Sequence, residues 1–282
     1  MKGDRGIHEM AALDSLASAL RPRSDESRPD LKEPKMIEER FGMDARDAIV
    51  VTGAASGIGR ATALLAGRLG LGVAAWDLDP AGVEEAVAEI VAAGGRGLAL
   101  EVDVTDDARV SAAFVETSKA LGIPRYLVNN AGPRSTSDLD FQDGLRIAAG
   151  SMQMVTAKWM TLELPEPAAV VNVASVAGNL VGTSPDWYGS SKAAIAGYTR
   201  YLAITQARRL RANAVAPGAV DTPRLAPYLS TDAGRRWQET NPMGRIGRPE
   251  DVAPVICFLL SPAAGYVNGA LVPIDGGATL IL

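Results

Sequence analysis

The sequence predicts an α/β fold: a doubly wound, parallel, seven-stranded sheet with helices on both faces. Three observations predict it. From residue 48 onward, short apolar runs alternate with longer stretches at helical spacing. Several of those runs, AIVV at 48–51 among them, lack the polar alternate of a half-exposed strand. Such runs suit parallel strands covered on both faces. A glycine-rich turn, TGAASGIG at 52–59, stands where the first run ends and a helix begins. Right-handed crossovers between parallel strands then lead to double winding.

The elements follow in order. AIVVTG (48–53) is a β-branched strand ending in glycine, and GIGRATALLAGRLG (57–70) is a helix closed by glycine. LGVAAWD (71–77) is the second strand. DPAGVEEAVAEIVAAGG (79–95) is a helix, with Asp79 as its cap and Pro80 in its first turn. GLALEVDVTD (97–106) is the third strand, and DDARVSAAFVETSKALG (106–122) a helix. YLVNNAG (126–132), AAVVNVAS (168–175), RANAVAPG (211–218) and ALVPIDGG (270–277) complete the seven strands. Residues 1–45 read differently. Leu13, Leu16, Ala17 and Leu20 recur at helical spacing, which predicts a short amphipathic helix. Pro22, Pro29 and Pro34 among mixed charges then mark a linker or surface wrap. The expected division is an N-terminal extension at 1–45 and a single domain at 46–282, with a substrate loop at about 223–245.

The chain has 282 residues, 47% apolar and 22% charged, enough for a large core. Its formal net charge of -5 argues against nucleic acid and anionic membranes as partners. With one cysteine and one histidine, it can form neither an internal disulfide nor a Cys/His metal cluster, so no metal is expected. Cys257 lies in the apolar run VICFLLS and reads as a buried structural thiol, and His8 falls in a polar tail. There is no uninterrupted apolar 18-mer, and MKGDRGIHEM is no secretory signal, so a cytoplasmic protein is expected.

Ligands in such sheets bind at the carboxyl ends of the strands, near the switch in strand order. Gly53, Gly57 and Gly59 fall there, ahead of a helix starting near Ile58. Glycine permits close approach to a pyrophosphate, and a helix N-terminus favours anions. Thr52 and Ser56 can tie the loop with their hydroxyls. The spacing GxxxGxG is neither GxGxxG nor a Walker loop, which would close with a Lys-Ser/Thr pair. Asp77 ends the second strand, where a carboxylate can accept both ribose hydroxyls of a dinucleotide. It would repel the extra phosphate of NADP, and its neighbours Trp76 and Leu78 are not basic, so NAD is the expected cofactor. Read alone, Asp77 is equally a helix cap. Asp103 ends the third strand and is placed to bind an adenine amino group, with Val104 against the ring. Asn130, Ala131 and Gly132, with Asn129, end the fourth strand in a small turn beside the glycine loop. Tyr188 and Lys192 are four apart and share a helix face. A phenol ionises near pKa 10 in water (about that value), and a nearby ammonium favours its phenolate. Ser175, at the end of the fifth strand, can donate to a substrate oxygen. An isolated Tyr-x-x-x-Lys pair is common on surface helices, so the combination carries the signal.

TGAASGIG, the DVTD segment, NNAG, Ser175, YGSSK and APGAVDTP stand in one order along the chain. In that order the chain resembles the short-chain dehydrogenase/reductase family, from about residue 47 to 279. The resemblance implies one Rossmann-type domain. It implies Tyr188 as acid–base, Lys192 binding the nicotinamide ribose and lowering the tyrosine pKa, and Ser175 orienting a carbonyl. It implies that Pro217, Gly218, Val220 and Thr222 line the nicotinamide. It also implies a homotetramer, with Met152–Met160 and Tyr188–Tyr201 at one interface and the C-terminal strand at another. Family members usually carry a relay asparagine in the helix after NNAG; here Ala148 stands at that place, with Ser151 or Gln153 as candidate substitutes. The implied reaction interconverts a secondary alcohol and a ketone.

Leu180, Val181, Trp187, Leu225, Tyr228, Leu229 and Trp237 lie in the loops expected over the nicotinamide, and an apolar wall there suits a bulky, mostly apolar substrate. Arg224, Arg235 and Arg236 could meet a carboxylate or simply stay solvated. The C-terminal stretch from Asn241 is similar to bacterial 3α-hydroxysteroid dehydrogenase/carbonyl reductase-like members of the family, which leaves steroid-like, other cyclic and aromatic alcohols open. The competing reading is a cofactor-binding sensor or scaffold that has lost turnover with the relay asparagine. A nucleotide hydrolase would need a Walker lysine, which the chain lacks.

Overall fold

A computed structural model describes residues 41–281, apart from Ser184, Arg224, Ser230 and the side chains at 227, 228, 233 and 237. The expected N-terminal helix, His8, Arg224 and the side chains of Tyr228 and Trp237 lie outside the described residues.

All seven expected strands form. They are β1 (Ala48–Thr52), β2 (Gly72–Asp77), β3 (Arg96–Glu101), β4 (Pro124–Asn129), β5 (Ala168–Val173), β6 (Leu210–Pro217) and β7 (Leu271–Ile274). They make one parallel sheet in the order β3-β2-β1-β4-β5-β6-β7. The central strands are buried along their length and the edge strands β3 and β7 are not. The helices are α1 (Gly57–Arg68), α2 (Pro80–Ala92), α3 (Asp107–Leu121), α4 (Phe141–Leu145), α5 (Ser151–Met160), α6 (Asp186–Thr205), α7 (Ala226–Leu229), α8 (Asp232–Thr240) and α9 (Pro249–Leu260). The expected cap of α2 forms: Asp79 accepts from the Gly82 amide and Pro80 occupies the first turn. The expected third strand is shorter than its apolar run, because Asp103 and Asp106 turn the DVTD segment into the entry of α3. The stretch 223–245, expected as a loop, contains α7 and α8.

The pleat of β1 divides the core. Ile49 and Val51 pack on one face with Ala63 and Ala66 of α1 and with Val252, Ile256 and Leu259 of α9. Ala48 and Val50 pack on the other face with Phe114 of α3, Trp159 of α5 and Leu202 of α6. This is the period-two alternation of a strand covered on both sides. Cys257 is buried in the first of these layers, and burial pushes its thiol up to about 12. Among the described residues no helix is long and apolar enough to cross a membrane.

Arg211 shows how the sheet holds its last helix. Its buried guanidinium donates to the carbonyls of Leu259, Leu260 and Ser261 at 2.6, 2.8 and 2.9 Å. Those are end groups of α9, which have no partner within the helix and carry its negative dipole end. Arg211→Met should leave three buried carbonyls unpaired and lower stability by about 2–4 kcal/mol. Denaturant unfolding checks this, and a loss below about 1 kcal/mol would contradict the capping role.

Candidate active site

The carboxyl ends of β1, β2, β4, β5 and β6 share one edge, because the strands are parallel. At β1 the chain turns from building β2 and β3 on one side to building β4 and its successors on the other. Loops leaving β1 and β4 diverge and leave a crevice.

The glycine loop enters that crevice under tight constraint. Gly53 and Gly57 have φ of 69° and 55°, the left-handed region that favours glycine. A Cβ on Gly59 would lie 2.0 Å from the Gly53 carbonyl oxygen, and one on Gly53 would lie 2.7 Å from Asn130 Nδ2. The backbones therefore meet where side chains would stand. Thr52 Oγ1 donates to the Val128 carbonyl and accepts from the amides of Asn130 and Ala131 at 3.0 and 3.1 Å. Asn130 Nδ2 donates back to the carbonyls of Thr52 and Gly53. The Asn130 side chain is thus a tie between the ends of β1 and β4. Ser56, expected to tie the loop, is exposed at the cap of α1, where water can satisfy its hydroxyl, and makes no capping bond. Ile58 follows in the first turn of α1.

Asp77 is drawn to the same loop. One carboxylate oxygen accepts from the Ala55 amide at 3.0 Å and the other from the Asp79 amide at 3.2 Å. Each oxygen has two acceptor sites, so these bonds leave capacity for ribose hydroxyls. Asp103 accepts from the amide and hydroxyl of Thr105. Val104 and Ala131 line one recess with Thr52, Asn129 and Ser151. From the other side, Thr222 covers the loop: a Cβ on Gly57 would lie 3.0 Å from its Cγ2. Gly218 lies against Asp275, and Val220 is buried in the core. Burial pushes the Asp275 carboxyl up, but hydrogen bonds from Thr279 and Gly277 outweigh it and hold the group below the ordinary value. Gly132 differs from Gly53, Gly57 and Gly59 of the loop. A Cβ there would meet no protein atom within 4 Å, so what its missing side chain leaves is open space beside the crevice. A backbone cradle, a carboxylate at the strand end and open space beside NNAG together fit an adenosine-containing dinucleotide.

Ser175, Tyr188 and Lys192 gather at the end of β5. Lys192 Nζ donates to the carbonyl of Val173, the last residue of β5, at 2.9 Å. It also lies 5.8 Å from the centre of the Tyr188 ring. Ser175 is buried, and its Oγ accepts from the Ala177 amide at 3.1 Å. Helix α6 is held in place from within the core. Asn129 Nδ2 donates to Thr156 Oγ1 and to Asn172 Oδ1, and Asn172 Nδ2 donates to Thr199 Oγ1 of α6.

Several residues here escaped sequence reasoning. Gly178 and Gly189 meet backbone to backbone, and Gly144 makes room for Trp187. Asn179 bridges the Ser175 turn to α6. The Gly-Asn pair at 178–179 signals a turn, but no sequence feature marks which backbone that turn meets. Trp187, expected in the apolar wall, is 1% exposed and packs on α4, because Gly144 leaves its ring a slot. Leu180 is exposed and Leu225 and Leu229 half-buried in the loops expected to form that wall. Arg235 pairs with Asp232 of its own helix.

Ala148 is 4% exposed and lies in a π turn, Arg146–Gly150, between α4 and α5. Ser151 donates to the Ile147 carbonyl in that turn at 2.6 Å. Gln153 is exposed and lies beside Tyr198 of α6.

Comparisons with known proteins find dehydrogenases and reductases. A family model described as enoyl-(acyl carrier protein) reductase matches residues 53–279. The cis-4-hydroxycyclohexanecarboxylate dehydrogenase of Sinomonas cyclohexanicum is 36% identical over 246 residues, 84% of this chain and 98% of that protein. The cyclohexanol dehydrogenase of Acinetobacter sp. (strain SE19) is 32% identical over 255 residues, 87% of this chain and 98% of that protein. The crystal structure of levodione reductase superposes with a TM-score of 0.76 at 31% identity, covering 84% of this chain and 99% of the other.

Gly59→Ala should abolish dinucleotide binding, since the added methyl must displace the Gly53 carbonyl. Cofactor titration by fluorescence checks it, and a dissociation constant within about twofold of the parent's, a difference of only about 0.4 kcal/mol, would refute the constraint.

Proposed function

This chain belongs to the short-chain dehydrogenase/reductase family, and we propose that it is an NAD(H)-dependent enzyme interconverting a secondary alcohol and a ketone on a cyclic, mostly apolar substrate. Membership makes it an oxidoreductase of the alcohol dehydrogenase type that uses a nicotinamide dinucleotide. The cyclic substrate class is supported by the relatives named for cyclohexanol and hydroxycyclohexanecarboxylate. The preference for NAD is supported by Asp77, whose carboxylate stands at the glycine loop and would repel a 2′-phosphate. We read the dehydrogenase domain as residues 46–282 and the enzyme as cytoplasmic, in keeping with a lone, buried thiol.

One observation carries the mechanism: Lys192 stands 5.8 Å from the Tyr188 ring with its ammonium tied to the end of β5, two residues from Ser175. In this reading the bound nicotinamide supplies the hydride acceptor or donor. Gly53, Gly57, Gly59, Asp77, Asp103, Val104, Asn130, Ala131 and Gly132 hold its adenosine and pyrophosphate half. Pro217, Gly218, Val220 and Thr222 line the other. Tyr188 Oη takes the alcohol proton in oxidation and returns it in reduction. The Lys192 ammonium favours the phenolate that makes this possible at neutral pH. Ser175 Oγ donates to the substrate oxygen and holds it in reach of Tyr188. The second reading, a cofactor-binding protein without turnover, is favoured by Ala148, which offers no amide to a proton relay.

A panel of cyclohexanols and cyclohexanones with NAD or NADP tests both. The expected result is turnover with NAD, and a Tyr188→Phe variant that binds NADH but has lost roughly 100-fold or more in kcat. Equal rates for the two proteins would remove Tyr188 from the chemistry, and cofactor binding without turnover anywhere in the panel would favour the second reading.

A homotetramer is part of the proposal. Tyr201 on α6 is 56% exposed and Leu280 near the C-terminus 87% exposed, large side chains on the stretches expected to pair. Light scattering should give four copies per particle at micromolar concentration; a monomer would overturn it.

A further inference from the structure

The turn joining β5 to α6 is tied more heavily than a surface connection needs. The Val176 carbonyl accepts from the amides of Asn179, Leu180 and Val181 at 3.2, 2.8 and 3.1 Å. The Val181 carbonyl accepts from the Gly178 amide at 2.8 Å. The Val176 amide ties this coil to the Pro217 carbonyl at the end of β6, and two further contacts reach α6. Gly178 has φ of 75°, and a Cβ there would lie 1.9 Å from the Gly189 carbonyl oxygen. Its backbone therefore rests on the residue that follows Tyr188. Asn179 makes the second contact. Its Nδ2 donates to the Ser175 carbonyl at 3.0 Å and to the Lys192 carbonyl at 3.1 Å. One amide group thus joins the backbones of two of the three reacting residues, and the glycine beside it touches the neighbour of the third.

We propose that Asn179 is a positioning residue that sets the spacing between Ser175 and the Tyr188–Lys192 face of α6. The proposal rests on the functional reading above. Ser175 follows the end of β5, while Tyr188 and Lys192 ride on a helix that begins eleven residues after it. Nothing in regular secondary structure fixes the distance between a strand end and a crossing helix. An amide can fix it here because it has two N–H donors, and a helical carbonyl retains a lone pair for a second donor. The same turn orients Ser175 itself, through the Ala177 amide on its Oγ. A leucine would fill the volume without either bond. Asn179→Asp keeps the shape but sets a carboxylate against two carbonyl oxygens. The bridge lies away from the glycine loop, so losing it should leave cofactor binding intact and slow the step that needs three groups in register.

The test uses the full chain with NAD and a cyclic alcohol. Asn179→Asp and Asn179→Ala should bind NADH within about twofold of the parent and lose on the order of 10- to 100-fold in kcat, at a KM changed by no more than a few-fold. In a Ser175→Ala background, Asn179→Ala should cost less than a further twofold or so, because the group it positions is gone. Undiminished kcat in both variants, or a loss that persists in full without Ser175, would overturn the proposal. Hydrogen exchange supplies a readout that needs no turnover. Amides of Ala177–Val181 should exchange faster in Asn179→Asp, with β1 and α1 unchanged; exchange equal to the parent's would also overturn it. Failure of the functional reading looks different: the parent itself turns over no alcohol, and the exchange result still decides whether Asn179 clamps the turn.

Discussion

The site depends on how closely the ends of β1 and β4 can approach. Two polar side chains hold them: Thr52 takes the amides after β4, and Asn130 returns two bonds to the carbonyls after β1. In a buried crevice these groups must be paired, and pairing them with one another fixes both turns at once. The glycine loop can then fold only where it carries no side chains, at Gly53 and Gly59. Asp77 closes the arrangement by accepting the Ala55 amide, which brings the acidic strand end to the loop it serves. The shape of the glycine loop is thus a consequence of strand pairing and hydrogen-bond satisfaction.

Ser175, Tyr188 and Lys192, the residues proposed to react, are positioned by the same logic one strand further along. The Asn129–Asn172–Thr199 chain of hydrogen bonds runs from β4 through β5 into α6. It anchors the middle of the helix that carries Tyr188 and Lys192. The near end of that helix is held by the Ser175 turn, where Gly178 and Gly189 meet and Asn179 bridges. The Lys192 ammonium then reaches back to the end of β5. A substrate alcohol would meet groups drawn from a strand end and a helix. Core contacts hold both, so neither relies on a mobile loop for its place.

The π turn at Ala148 packs against this helix as well. Ala148 is buried there and carries no polar group, and Ser151 donates to the Ile147 carbonyl within the turn. Under the proposed mechanism, a proton route past this point would draw on groups other than residue 148.

Much of this was legible in the residues. Seven apolar runs, the glycine turn and the helical pair at 188 and 192 follow from period, spacing and backbone freedom, which are local properties of a chain. The sheet order, the tie made by Asn130, the slot that Gly144 opens for Trp187 and the bridge at Asn179 were not legible. The tie made by Asn130 went unread beside its expected ligand contact, and Trp187 read as a substrate wall, because a side chain's type does not reveal which distant backbone lies opposite it. The Asn130 and Gly144 contacts join residues tens of positions apart, and the Asn179 bridge joins a strand end to a helix. Only the folded sheet, by setting one strand end beside another, decides whether a polar group faces a ligand, a carbonyl or the core.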